Sequence, residues 1–172
     1  MSKLDRLTLN DINNISNDVQ FNSSYIDDIV DSITGPFMND LDDYVKKIQK
    51  RLQDKNNPPS DSELDDYCLN LSTLIYFAGE GMERIGIRDG VAKTTYKEAY
   101  NTYRLTYRKG TAVDKTNAAE LKSLKENIVS IAYTSAYKSA KSKVENAMEI
   151  LASIKKVISR RQDEAKLSNM SR

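Results

Sequence analysis

Tyr96, Tyr100, Tyr103 and Tyr107 recur at offsets of four, three and four, and Lys93, Lys97, Arg104, Arg108 and Lys109 are interleaved with them. On an α-helix, at about 100° per residue, the four rings fall within roughly a 60° arc. Lys93, Lys97, Arg104 and Arg108 fall in the next arc, about 60–120° further round. A row of flat rings beside a row of cations suits a strand of nucleic acid. The cations neutralise phosphates and the rings stack on bases. The same spacing also describes an amphipathic helix whose tyrosines face a protein core and whose charges face water.

A second basic group, Lys155, Lys156, Arg160 and Arg161, follows Lys138, Lys141 and Lys143 near the C-terminus. Cations at the end of a helix are also favoured by its macrodipole, so part of this group needs no ligand. The candidate nucleic-acid-binding set is Lys93, Lys97, Tyr100, Tyr103, Arg104, Tyr107, Arg108 and Lys109, with Lys155, Lys156, Arg160 and Arg161.

Other chemistries find few residues to work with. There is no histidine, and Cys68 is the only cysteine. Ser–His and Cys–His pairs, histidine metal ligands and an intrachain disulfide are therefore excluded. Cys68, in the run Tyr67-Cys68-Leu69-Asn70-Leu71, reads as a small buried hydrophobe. Gly79-Glu80-Gly81 with Gly86 and Gly90 lacks the Gly-Lys-Ser/Thr of a phosphate loop. Asp27, Asp28 and Asp31, and Asp40, Asp42 and Asp43, lack the alternating ligands and closing glutamate of a calcium loop, and read as solvated acidic faces. The expectation is a protein without catalytic residues, metal or cofactor.

The positioning elements are helical. Phe37, Leu41, Tyr44/Val45, Ile48 and Leu52 keep helical spacing after the punctuation of Gly35-Pro36. Residues 1–34, rich in Asn, Asp and Ser, hold short apolar groups such as Ile26/Ile29/Val30 and predict small helices, docked or partly disordered. Lys55-Asn56-Asn57-Pro58-Pro59 is a linker. Ser60 and Glu63 form a capping box for a helix through Ala78, with a cap or bend at Gly79 and Gly81 and a turn at Asp89-Gly90. Gly110 is expected to end the tyrosine helix. Beyond it no Gly or Pro occurs, and about Thr116 to Lys166 predicts one helix of roughly 75 Å.

That last helix carries Leu121, Leu124, Ile128 and Ile131, then an Ala132/Ala136/Ala140 ladder, then Val144, Ala147, Leu151, Ile154 and Ile158. The stripe suits either an α-hairpin within one chain or a coiled-coil seam between chains. As a seam, its oligomerisation residues are Leu121, Leu124, Ile128, Ile131, Val144, Leu151, Ile154 and Ile158. The fold expected is all-α, a helical hairpin or bundle with a very long C-terminal helix, oligomeric.

Charge divides the chain. Residues 1–66 hold seven Lys and Arg against 14 Asp and Glu, a net −7, and the remainder hold 19 against 11, a net +8. This predicts an acidic region over 1–57 and a basic helical domain over 58–172. No apolar run is long enough to span a membrane, and Met1-Ser2-Lys3-Leu4-Asp5 opens no signal peptide, so the expected location is the cytoplasm.

From Tyr67 to Arg161 the order of features resembles the UvsY family of phage recombination mediators. The basic-aromatic stretch Tyr103-Arg104-Leu105-Thr106-Tyr107-Arg108-Lys109-Gly110 precedes a glycine turn. A long helix then ends Ala152-Ser153-Ile154-Lys155-Lys156-Val157-Ile158-Ser159-Arg160-Arg161. The resemblance covers just over half of the chain. The acidic region before Pro58 is longer than the family implies, and the long helix has few large aromatics. What the resemblance implies is a helical oligomer that binds single-stranded DNA. It would help load a RecA-like recombinase onto DNA covered by single-strand-binding protein, in the host cytoplasm of an infecting phage. On that reading Lys97, Arg104, Arg108 and Lys109 contact DNA and the C-terminal helix assembles the oligomer. The competing expectation is a helical structural or adaptor protein of a phage particle.

Overall fold

The computed structural model describes residues 9–107 and 110–170. Among them are four helices and no strand: α1 (Leu9–Leu52), α2 (Asp61–Thr106), α3 (Ala112–Lys122) and α4 (Leu124–Met170). α4, with 47 residues, is the longest. α1 and α2 form an antiparallel hairpin, and α4 returns antiparallel to α2 and alongside α1. Thr134 on α4 meets Asp89 on α2, Lys143 meets Asp42 on α1, and Arg161 meets Asp61 at the start of α2. The result is an elongated three-helix bundle, with short α3 against the far end of α2.

The hairpin turn is fixed by one carboxylate. Glu63 completes the capping box with Ser60 and also receives both arms of Arg51 at 3.0 Å. Arg51 donates to the Asn57 carbonyl as well. The Arg51 hydrogen bonds come first among the causes that hold the Glu63 carboxyl below its ordinary range, followed by the Ser60 backbone N–H.

The core is built from Val30, Met38, Leu41 and Ile48 of α1, Leu64, Tyr67, Leu71, Ile75, Ala78 and Ile85 of α2, and Ala136, Ala140, Val144, Ala147 and Ile154 of α4. The acidic region therefore supplies one of the three core helices. Where the sequence predicts small helices and a stop at Gly35-Pro36, one helix runs through both. A proline inside a helix costs about 3 kcal/mol. Apolar side chains on either side of it are buried in the same core, which offsets that cost.

α2 likewise differs from expectation. It continues through Gly79, Gly81 and Asp89-Gly90 without a break. Two of its glycines serve packing instead. A Cβ at Gly81 would lie 2.5 Å from the Phe37 Cβ, and one at Gly86 would lie 3.0 Å from the Tyr137 ring. These positions let α1 and α4 approach closely.

The single helix expected from about Thr116 to Lys166 is two. Helix α3 starts at a Thr111–Asp114 capping box, just after Gly110, whose φ of 104° suits only glycine. The break falls at fully buried Ser123, whose N–H and hydroxyl both donate to the Ala119 carbonyl, at 2.9 and 2.8 Å. The backbone turns there, with ψ of Ser123 at 14°, before α4 begins.

Candidate nucleic-acid interface

The last four turns of α2 bring the tyrosines and cations of the first cluster together. Tyr96 and Tyr100 stand with ring centroids 6.3 Å apart, and both are half-buried, as is Tyr103. Their cover is α3. Lys122 lies over the Tyr103 ring, 5.8 Å from its centroid. Glu120 closes a groove of about 330 Å³ whose other walls are Tyr96, Lys97, Tyr100 and Asn101. The rings are neither fully core nor fully open. Tyr107, at the C-cap of α2, is the most accessible of the four.

The cations beside them divide into two kinds. Lys97 and Arg104 are exposed and make no ion pair among the described residues. Lys93 is tied to Asp89 at 2.7 Å. Arg108 and Lys109 lie outside the described residues.

Asp89, expected in a turn, is instead a buried carboxylate joining α2 to α4. It accepts from Lys93 and, at 2.6 Å, from the Thr134 hydroxyl. Burial is the largest influence and pushes its pKa up. The hydrogen bonds from Lys93 and Thr134, with the nearby charges of Lys93 and Lys138, outweigh it and hold the carboxyl below its ordinary range. This pairing spends much of the Lys93 charge on the fold. Only the Asp89/Lys93 spacing of four is visible in sequence.

The second basic cluster lies at the opposite end of the bundle. Arg161 reaches Asp61 at 2.7 Å and the Pro59 carbonyl at 2.9 Å, which places it beside the start of α2. From Asp61 to Tyr103 along α2 is about 63 Å at 1.5 Å per residue. The structure thus does not join Lys155, Lys156, Arg160 and Arg161 to the tyrosine cluster. Arg161 clamps helix ends, and Arg160 pairs with Glu164 at 3.4 Å. Lys155 and Lys156 are exposed, with no ion pair among the described residues.

The stripe read as an oligomer seam is divided as well. Val144 and Ile154 are 4% and 1% exposed within this chain, and Leu151 and Ile158 pack against the same core. The alanine ladder is buried against the chain's own helices. Ile128 is half-buried, while Leu121, Leu124 and Ile131 are exposed. The bundle therefore takes up the C-terminal half of the stripe as an intramolecular hairpin contact, and only its start remains free for another molecule.

Among the described residues no group of His, Cys, Asp and Glu is arranged to hold a metal ion, and no helix is long and apolar enough to cross a membrane. Asp42 and Asp43 are engaged by Lys143 and Lys46. Cys68 is half-buried, and burial pushes its thiol pKa up, away from a reactive thiolate. No protein-family model, curated protein or solved structure matches the chain.

Proposed function

We propose that the protein is a non-catalytic accessory protein that binds single-stranded DNA at the tyrosine–basic end of α2. The observation that carries this reading is the pair Lys97 and Arg104, exposed and free of ion pairs among the described residues, beside half-exposed tyrosines. Unpaired cations release counterions on meeting phosphate, and rings with an open edge or face accept a base. Tyr107 is the first stacking platform, because α3 shields the other rings. The two basic ends act as separate contacts along one strand, with Lys155 and Lys156 the free members of the second.

The resemblance to recombination mediators extends the reading. The chain would assemble into an oligomer and help a RecA-like recombinase displace single-strand-binding protein from DNA. DNA is favoured over RNA on that resemblance. An adaptor role in a phage particle is the second reading, favoured by the large apolar side chains exposed along α2.

Titration of a labelled oligo-dT strand at two salt concentrations tests the proposal. Binding whose affinity falls steeply with salt is expected. Absence of binding at low salt would leave the adaptor reading.

A further inference from the structure

Helix α3 is held in place by little. Ala119 is its one buried side chain, and Lys115, Thr116 and Ala118 are half-buried. Its large apolar side chains, Val113 and Leu121, are 66% and 76% exposed, so neither anchors it. Its side-chain hydrogen bonds stay local, Asp114 with Thr111 and Thr116 with the Ala112 carbonyl. Among the described residues none of its side chains forms a hydrogen bond or ion pair with α2 or α4. Across the gap stands only the Lys122 ammonium over the Tyr103 ring. The backbone leaves helical values on both sides, with φ of Gly110 at 104° and ψ of Ser123 at 14°. At 11 residues α3 is also shorter than the roughly 12–15 that an isolated helix needs to persist in water.

What α3 covers is a row of rings. Tyr96, Tyr100 and Tyr103 are half-buried on α2, beside Glu120 and Lys122. From Tyr96 to Tyr103 is about 10 Å along the helix, the length of about three stacked nucleotides. Glu120 adds a charge to the cover. Its carboxylate walls the same groove as Lys97 without reaching ion-pair distance. A phosphate approaching Lys97 meets that negative charge for as long as α3 is seated.

We propose that α3 is a displaceable cover, and that a single strand lifts it to reach a stacking track of Tyr96, Tyr100 and Tyr103 that continues from Tyr107. This rests on the single-strand binding proposed above and gives that site its regulation. Lifting α3 exposes ring faces to bases and removes the Glu120 carboxylate from beside Lys97. The bundle survives the movement. Ala119 lies outside the three-helix core, and Thr134 with Asp89 keeps α4 on α2. The apparent affinity for DNA is then the intrinsic affinity reduced by the fraction of molecules with α3 lifted. Any change that unseats α3 tightens binding.

Amide hydrogen exchange of the full chain, without and with saturating oligo-dT at low salt, is the test. In the unbound chain the amides of residues 115–122 should exchange well ahead of the core amides of α2 and α4. Oligo-dT should speed them further, because a lifted α3 frays. Ala119→Gln, too large for the buried seat, should unseat α3, read as faster exchange there with the melt of the bundle unchanged. That variant should bind oligo-dT about threefold or more tightly than the wild type, since part of the cost of opening is already met. Amides of α3 as slow as the core in the unbound chain would overturn the proposal. So would a complex in which α3 is as protected as before, or an unseated Ala119→Gln that binds no more tightly. Absence of DNA binding at low salt would remove the single-strand reading and the cover with it, whereas binding with α3 still protected would remove the cover alone.

Discussion

Asp89 shows how one side chain is repurposed by its surroundings. Its carboxylate is buried between α2 and α4 and satisfied by Lys93 and Thr134. Its folded pKa is depressed, so its contribution to stability is present above the ordinary carboxylate pKa of 3.8 and is lost as pH falls through the lower folded value. Asp89→Asn should therefore cost about 1–3 kcal/mol at neutral pH, as for a buried hydrogen bond to a charged group. The gap between the melting curves of wild type and variant should hold from neutral pH down to about pH 5 and close below pH 4. A gap that persists unchanged into acid would contradict the assignment. The tyrosines make a second residue-scale case. Tyr107→Ala should cost about 1–3 kcal/mol of DNA affinity with the salt slope nearly unchanged and little loss of melting temperature. Tyr103→Ala, beneath Lys122 and α3, should lower the melting temperature as well. Residue types and spacing made this cluster legible in sequence. What covers the rings was not, because α3 packs onto α2 through the chain reversal at Gly110. The role of Asp89 was hidden too, since Thr134 lies 45 residues away.

At the scale of elements, helicity was legible throughout, while the boundaries were misread wherever glycine or proline stood inside a helix. Gly81 and Gly90 show the physical reason. Both lower helix propensity by about 1 kcal/mol relative to alanine. Only Gly81 is needed for contact, since a Cβ there would strike Phe37, whereas one at Gly90 would meet nothing within 4 Å. Gly90→Ala should raise the unfolding free energy by about 0.5–1 kcal/mol. Gly81→Ala should lower it by about 1–3 kcal/mol, as overpacking does. Chemical denaturation of the two variants checks the pair, and equal effects of the same sign would refute the distinction. The missed break at Ser123 has the opposite origin. Serine carries only a weak helix penalty, and the departure of the Ser123 backbone from helical values, with ψ at 14°, leaves no mark in the apolar periodicity. Of the apolar stripe read as one, Val144, Leu151, Ile154 and Ile158 pack on the core while Leu121 falls on α3, and periodicity alone does not say whether the face across a stripe belongs to the same chain.

The whole molecule depends on its acidic first helix. Val30, Met38, Leu41 and Ile48 are buried between α2 and α4, and Asp42 pairs with Lys143 at 2.6 Å. Deleting residues 1–57 should therefore abolish cooperative unfolding rather than release a stable basic domain. Circular dichroism of the truncated chain decides this, and a sharp melt near that of the full chain would show the remainder to be self-sufficient. The bundle also separates its two basic ends by about 63 Å along α2. Charge polarity along the chain was readable from composition, but the distance between the ends required the helix order. The central claim concerns the end where Lys97 and Arg104 stand beside the tyrosines. Its most direct test is the salt-resolved affinity of the full chain for oligo-dT, compared with a Lys97→Ala/Arg104→Ala double variant. Loss of two phosphate contacts should weaken binding and flatten the log–log salt slope by roughly 1.4, at about 0.7 per contact on a single strand. The melting temperature should not change, because both side chains are exposed. A folded double variant that binds with unaltered affinity and slope would contradict the account.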